Sequence, residues 1–411
     1  MYINNDFKLR GVTVANESNN ILIVSASYGG GHNQVARALT QAIQLQDPNL
    51  NVITVDYCDL LLPILSRISQ FSYYQSMRHF PVGVGYGLYY QATGKISSES
   101  FWQRRMNKLG YAELITLIER LNPRIVIATF PIPAGVLSEM KEAGILKVPA
   151  VTVITDICVH NQWIHPYTDL YIVADHEVAD GLVERGISRK RIAVTGIPIF
   201  SNFNDDFDID QLRQEFEVEP GEKLVLFMGG SQGLFLTTRF SQILHNIGNN
   251  TKAIVITGSN SELYEKLQSS LGNLNTNIRV MKYVENMAGL MELANVLVTK
   301  CGGITVSEAL AKGLPMIIYK PMPGQEGENA NYLWRHRAAI IAKSEHRLRN
   351  AITRMVNDEE FCERFRQNCL KLGCPDSAKV SAALILNQMA SLVESRTNFM
   401  PNVKQVSEYL G

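Results

Sequence analysis

Short runs of β-branched and aliphatic residues recur along the chain at positions 21–25, 52–55, 125–128, 150–154, 171–174 and 192–195, separated by stretches of helix length. Runs that are apolar at nearly every position belong in strands covered on both faces, and such strands joined by helical crossovers predict a parallel sheet. Around residues 201–221 the pattern breaks. Asp205, Asp206, Asp208 and Asp210 crowd together there, as expected of a connection between domains. The alternation restarts at 224–228, 253–257, 278–282, 296–299 and 315–319. The predicted fold class is α/β, with two doubly wound, Rossmann-like domains facing a central cleft. Ligands of such sheets sit at the carboxyl ends of the strands. The expected divisions are a polar extension at 1–20, a first domain at 21–200, the connection at 201–221, a second domain at 222–375 and a helical segment at 376–411.

Composition narrows the function classes. The 411 residues suffice for two domains with real cores, and 46% apolar with 19% charged residues excludes a disordered chain. Lysine plus arginine and aspartate plus glutamate number 39 each, so the basic excess of a nucleic-acid binder is missing and no nucleic-acid partner is expected. The six cysteines are scattered with no CxxC pair, which suggests neither a zinc knuckle nor a disulfide framework. A reducing cytoplasm is the expected compartment. Residues 1–20 lack the apolar stretch of a signal peptide. The longest apolar run, at 60–65, is interrupted by Pro63 and followed by Arg67, too short to cross a membrane.

Chemistry is expected where glycines separate a strand from a helix. After the first strand come Gly29, Gly30, Gly31 and His32, with a helix predicted from about Asn33. Glycines there let the backbone approach a ligand and leave helical N–H groups free. Gln34 occupies the place of the last glycine of a dinucleotide fingerprint, and no Gly-Lys-Ser/Thr of a P-loop follows. The second domain repeats the device at Gly229, Gly230, Ser231, Gln232 and Gly233, and again at Gly302 and Gly303 before Ile304, Thr305 and Glu308. Two such turns supply N–H groups and helix dipoles to a diphosphate, and Glu308 can accept both hydroxyls of a ribose. The loop after the last predicted strand carries Gln325, Glu326 and Asn329, groups suited to sugar hydroxyls.

Taken in order, Ser25 through His32, Thr155 and Asp156 through His160 and Trp163, Gly229 through Gly233, Gly302 through Ala309, and Pro323 through Asn329 resemble the monogalactosyldiacylglycerol synthase and processive diacylglycerol glucosyltransferase family of glycosyltransferase family 28. The resemblance spans roughly residues 20–390. It implies the GT-B fold and a UDP-hexose co-substrate in the second domain, bound through Gly30, Gly31, Gly230, Ser231, Gln232, Gly303, Ile304, Thr305, Glu308, Gln325, Glu326 and Asn329. It also implies a 1,2-diacylglycerol acceptor in the first domain, glucose as the hexose, and more than one round of transfer. No further cofactor is expected.

Inverting transfer needs a base for the acceptor hydroxyl while UDP leaves from the opposite side. His32, titrating nearest neutrality, is the first candidate. Asp156, at the carboxyl edge of the same sheet, is expected to orient His32 or to act itself, and a wholly structural His32 is the remaining reading. His160 and Trp163, with His165 beside them, are expected to shape the acceptor entrance. Asp206 and Asp208 match the Asp-x-Asp of metal-dependent transferases, but aspartates before a helix commonly cap it, and helix dipoles with loop amides can carry the leaving diphosphate. No metal is expected.

Residues 60–110 hold nine aromatic residues, six cations and one acid. That mixture suits a surface that inserts apolar groups among anionic lipid heads, with Tyr73, Tyr74, Tyr89, Tyr90, Trp102, Arg104 and Arg105 as contacts. An ordinary helical core is the structural alternative. The expected location is peripheral, on the cytoplasmic face of the cell membrane. Rival functions are the lipid-linked N-acetylglucosaminyltransferase of peptidoglycan synthesis, a UDP-sugar 2-epimerase and a non-catalytic UDP-sugar sensor.

Overall fold

The computed structural model describes residues 19–27, 30–61, 110–230, 233, 250–271 and 277–397. The first sheet consists of β1 (Asn20–Ser25), β2 (Asn51–Asp56), β3 (Ile125–Ala128), β4 (Ala150–Val153), β5 (Leu170–Val173) and β6 (Ile192–Val194). They lie in the order β2-β1-β3-β4-β5-β6, all parallel. The second sheet consists of β7 (Lys223–Met228), β8 (Thr251–Ile256), β9 (Ile278–Met281), β10 (Val296–Thr299), β11 (Met316–Tyr319) and β12 (Ala339–Ala342). Its order is β12-β11-β10-β7-β8-β9, again parallel. The sequence pattern above does not include β12, although Ala339–Ala342 is apolar throughout.

Ile21, Leu22, Ile23 and Val24 are fully buried, with Ile21 and Ile23 in one apolar cluster and Leu22 and Val24 in another. The period-two alternation of side chains thus feeds cores on both faces of the sheet. In each sheet the strand order reverses beside the first strand, between β1 and β3 and between β7 and β10. The connections there depart to opposite faces and leave a crevice at the carboxyl ends.

The helices that position the site, numbered in chain order, are α1 (Gly31–Gln46), α2 (Ile209–Phe216), α3 (Met287–Leu293), α4 (Gly303–Ala311), α5 (Gln325–Arg335), α6 (Glu345–Asn357), α7 (Glu359–Leu372) and α8 (Ser377–Thr397). α2 lies within the expected connection and packs on α3 through Leu212 and Gly289. Asp208 is its N-cap, accepting the Asp210 and Gln211 N–H groups at 2.9 and 3.2 Å, which accounts for the second carboxylate of the Asp-x-Asp match. α8 returns to the first domain and packs along α1. Ala378, Ser381, Ala382, Ile385 and Met389 form its buried stripe at helical spacing. Ser381 Oγ lies 2.8 Å from Thr195 Oγ1, and Ser377 Oγ accepts the Ile199 N–H at 3.2 Å. Among the described residues, no helix is long and apolar enough to cross a membrane.

Candidate active site at the reversal of the strand order

α1 begins at Gly31, two residues earlier than the sequence predicts, after Gly30 in the left-handed region at φ 79°. His32 therefore sits in the first helical turn. Because β1 and β3 are neighbours and β4 is next in line, the segments leaving β3 and β4 converge on it. His32 Nδ1 lies 2.8 Å from the carbonyl oxygen of Thr129 and 3.0 Å from Thr155 Oγ1. A carbonyl only accepts, so the Nδ1 proton is held there and Nε2 keeps its lone pair. The ring packs edge-on against Phe130 at 5.0 Å. Burial pulls the half-buried imidazole down to about 4, against the opposing pull of the Thr129 carbonyl and the charge of Asp56. The expectation that His32 titrates nearest neutrality is thereby corrected: the ring is neutral at physiological pH and a weaker base than a free imidazole, with the Nε2 lone pair left by the Nδ1 contacts.

Behind it runs a polar chain. Asp56 accepts from Ser27 Oγ, Asn33 Nδ2 donates to the same hydroxyl at 2.9 Å, and Ser25 Oγ donates to Asn33 Oδ1 at 2.6 Å.

The expectation that Asp156 orients His32 is corrected: the threonines do so. The carboxyl of Asp156 instead accepts the Trp163 indole N–H at 3.3 Å and the side-chain amide of Gln325 from the second domain. Burial pushes this carboxyl up to about 7; the Trp163 bond opposes the shift and the charge of Glu328 adds to it. The placement of His160 and Trp163 at an acceptor entrance is corrected too. Both are buried, at 6% and 2% exposure. The His160 ring accepts the Gln162 N–H, and Trp163 supports Asp156 from below. His165 is equally internal, its Nε2 lying 3.2 Å from the Pro131 carbonyl oxygen.

Across the cleft, α4 and α5 start at the carboxyl ends of β10 and β11. Glu308 is 9% exposed, and its carboxyl has no hydrogen-bond partner among the described residues. Burial alone pushes it up to about 8. An unpartnered buried carboxyl one turn inside a helix that opens on Gly302 has the chemistry to accept hydroxyl donors when ionised. Thr305 is half-buried in the same first turn, and Gly230 adopts φ 73° after β7, where a Cβ would meet nothing within 4 Å among the described residues.

Other assigned residues join the domains to each other. A Cβ on Gly303 would overlap the Thr155 carbonyl oxygen, and one on Gly31 would lie 3.3 Å from Ile304. Asn329 is fully buried; its Oδ1 accepts the Ile157 N–H at 3.2 Å and its Nδ2 donates to the Cys301 carbonyl at 3.0 Å. Its amide thus spans the cleft rather than standing open to a sugar. Glu326 pairs with Lys300 at 3.0 Å and accepts the Met322 N–H at 3.0 Å. Ser231, Gln232, Tyr73, Tyr74, Tyr89, Tyr90, Trp102, Arg104 and Arg105 lie outside the described residues.

Sequence reasoning passed over Thr129 and Lys300. Thr129 acts through its main-chain carbonyl, which leaves no side-chain signal. Lys300 was visible as a lone cation between a strand and a Gly-Gly turn.

Two facing Rossmann-like sheets with these glycine turns define a GT-B protein. Residues 32–199 match the monogalactosyldiacylglycerol synthase family and 224–379 the glycosyltransferase family 28 C-terminal domain. A processive diacylglycerol β-glucosyltransferase of Bacillus licheniformis is 30% identical over 387 residues, 93% of this chain and 98% of that one. The chain belongs to this family of processive diacylglycerol β-glucosyltransferases. MurG of Acinetobacter baumannii superposes with a TM-score of 0.58 at 13% identity, over 90% of this chain and 99% of that one. A UDP-GlcNAc 2-epimerase of Neisseria meningitidis does so at 0.57 and 12%, over 90% and 100%. Fold alone does not separate transferase from epimerase; the sequence relationship does.

Proposed function

We propose that the protein transfers glucose from UDP-glucose to the free hydroxyl of 1,2-diacylglycerol with inversion, and repeats the transfer on its product. His32 Nε2 takes the hydroxyl proton as the acceptor oxygen bonds to the anomeric carbon and the bond from that carbon to the UDP oxygen breaks. The observation that carries this reading is the tethered Nδ1 of His32, which leaves a neutral Nε2 as the available base at the mouth of the first sheet. Glu308 accepts the ribose hydroxyls, while the N–H groups at Gly230 and at the start of α4 receive the diphosphate.

The acceptor is drawn from the cytoplasmic face of the membrane, where the protein is peripheral. Residues 60–110 support this through their aromatic and cationic composition. Replacing Trp102, Arg104 and Arg105 together is expected to weaken attachment to anionic vesicles, each cation contributing about 1 kcal/mol. Unchanged attachment would move the docking surface elsewhere.

The deciding experiment supplies radiolabelled UDP-glucose, UDP-galactose and UDP-N-acetylglucosamine separately with diacylglycerol vesicles and resolves the lipid products. A series of β-glucosyl lipids is expected. Labelled lipid from another donor overturns the choice of hexose, and epimerised nucleotide sugar without lipid product overturns the reaction.

A further inference from the structure

One helix of the second domain meets the first domain along its whole length. Gln325, at the start of α5, donates its side-chain amide to Asp156. Asn329 accepts the Ile157 N–H at 3.2 Å, and the Tyr332 hydroxyl donates to the Asp175 carboxylate. At the far end, Arg335 Nη2 and His336 Nε2 each lie 2.8 Å from a different carboxylate oxygen of Glu177. Positions 325, 329, 332 and 336 fall within about 60° of one another round an α-helix, and they span about 16 Å of its length. A single face of α5 therefore carries all four contacts.

The partners come from two neighbouring strands. Asp156 and Ile157 follow β4, whereas Asp175 and Glu177 stand at the start of the helix His176–Glu184, which follows β5. Asp175 is the N-cap of that helix and accepts the Val178 N–H at 3.0 Å, so its position is fixed within the first domain.

The contacts differ in what they can hold. Asn329 and Tyr332 are 0% and 4% exposed and adjoin one another at the middle of the helix. Together they pin α5 at one place, about which it can still swing. A further attachment beyond them fixes its direction. The group at Glu177 suits that task, because the Arg335 guanidinium reaches the carboxylate through both Nη atoms, at 3.4 and 2.8 Å, and paired planar bonds resist rotation. The His336 ring also packs on Tyr332 with centroids 4.5 Å apart. Hydrogen bonding from Arg335 is the chief cause that holds the Glu177 carboxyl below its ordinary range, so the pair is charged at physiological pH.

We propose that Glu177 is a positioning residue for the transfer: by holding the far end of α5 through Arg335 and His336, it sets where Gln325 at the near end meets Asp156, the sequence neighbour of the threonine that orients His32. Glu177 stands about three helical turns from Gln325, and it acts on the reaction through α5. The proposal rests on the glucosyl transfer proposed above, while the arrangement of the domains can also be read without turnover.

The test is a charge exchange in the full chain, made in a His336→Gln background that keeps a hydrogen-bonding amide and removes the ionisable ring beside the pair. Glu177→Arg alone and Arg335→Glu alone are each expected to lower kcat by about three- to fivefold, the scale of a well-formed exposed pair. UDP affinity by calorimetry is expected to stay at the background value, because Glu308 and the turns of α4 and Gly230 belong to the second domain. The double variant Glu177→Arg with Arg335→Glu rebuilds the pair in reverse and is expected to return kcat to within about twofold of the background. Small-angle scattering with UDP present is expected to give a larger radius of gyration in each single variant and the background radius in the double variant. Unchanged kcat and radius in the single variants overturn the proposal. A loss that the double variant does not recover overturns it too, since two unrelated surface changes behave that way, and so does a fall in UDP affinity that matches the fall in kcat. Absence of lipid product from the background protein counts against the proposed reaction, and the radii tell that failure apart from failure of the clasp.

Discussion

His32 Nδ1 sits 2.8 Å from the carbonyl oxygen of Thr129, so that a residue from the start of the first crossover is oriented by one almost a hundred positions later. The contact exists because β1 and β3 are adjacent at the reversal of strand order. It fixes the tautomer without charging the ring. His32→Ala is expected to lower turnover by roughly 100-fold or more, the range of a general base, with UDP affinity nearly unchanged. Steady-state kinetics beside calorimetric UDP titration checks both. Near-normal turnover would return His32 to a packing role.

Glu308 ties pH to donor binding. Its carboxyl titrates near 4.5 when unperturbed and at about 8 when buried here. The fold therefore incurs no penalty from it below pH 4.5, an increasing one as pH rises to about 8, and a constant one above. Glu308→Gln is expected to raise the melting temperature of the ligand-free protein more at pH 8.5 than at pH 5. Equal shifts at the two pH values would mean the carboxyl is not strained by burial.

The same carboxylate gives a second, opposite consequence. Ribose hydroxyls donate to the ionised form, so UDP affinity in the parent should climb with pH towards about 8 and become flat in Glu308→Gln. Loss of a charged hydrogen-bond acceptor should cost about 1.5–3 kcal/mol of UDP binding. Calorimetry across pH tests it; identical pH dependence in both proteins would remove Glu308 from the ribose.

Gly303 limits how the domains meet. Its missing Cβ gives room to the Thr155 carbonyl, and Gly303→Ala should disfavour the closed arrangement by about 1–3 kcal/mol, as overpacking does. A larger radius of gyration in solution scattering and reduced turnover are expected together. An unaltered radius with full activity would show that the contact is dispensable.

Asn329 provides the complementary attraction. Asn329→Ala leaves the buried Ile157 N–H and Cys301 carbonyl without partners, at a cost of about 1–3 kcal/mol. Denaturant midpoints should fall accordingly, and a midpoint like the parent's would argue that water replaces the amide.

Much of the molecule was open to inspection before folding was considered. Apolar runs marked eleven of the twelve strands among the described residues, because a strand covered on both faces must be apolar nearly throughout. Glycine turns marked the carboxyl ends, because close backbone approach demands glycine and tolerates few substitutes. Those same signals identified His32, Asp156 and Glu308 as chemically interesting. Residue types could not reveal their partners.

That remainder was decided by tertiary structure. Asp156 faces Gln325 and Trp163 rather than His32. Trp163 and His160 lie inside rather than at an entrance. Asn329 and Gly303 join the domains. The contacts of Asp156 with Gln325, of Asn329 with Ile157 and of Gly303 with Thr155 depend on how the two sheets face one another, and they link positions more than a hundred residues apart. Local sequence determines what a segment can become, because propensity and burial pattern act over a few residues. Which carbonyl orients a histidine, or which carboxyl is left unpartnered, depends on strand order and domain closure, and these are properties of the whole chain.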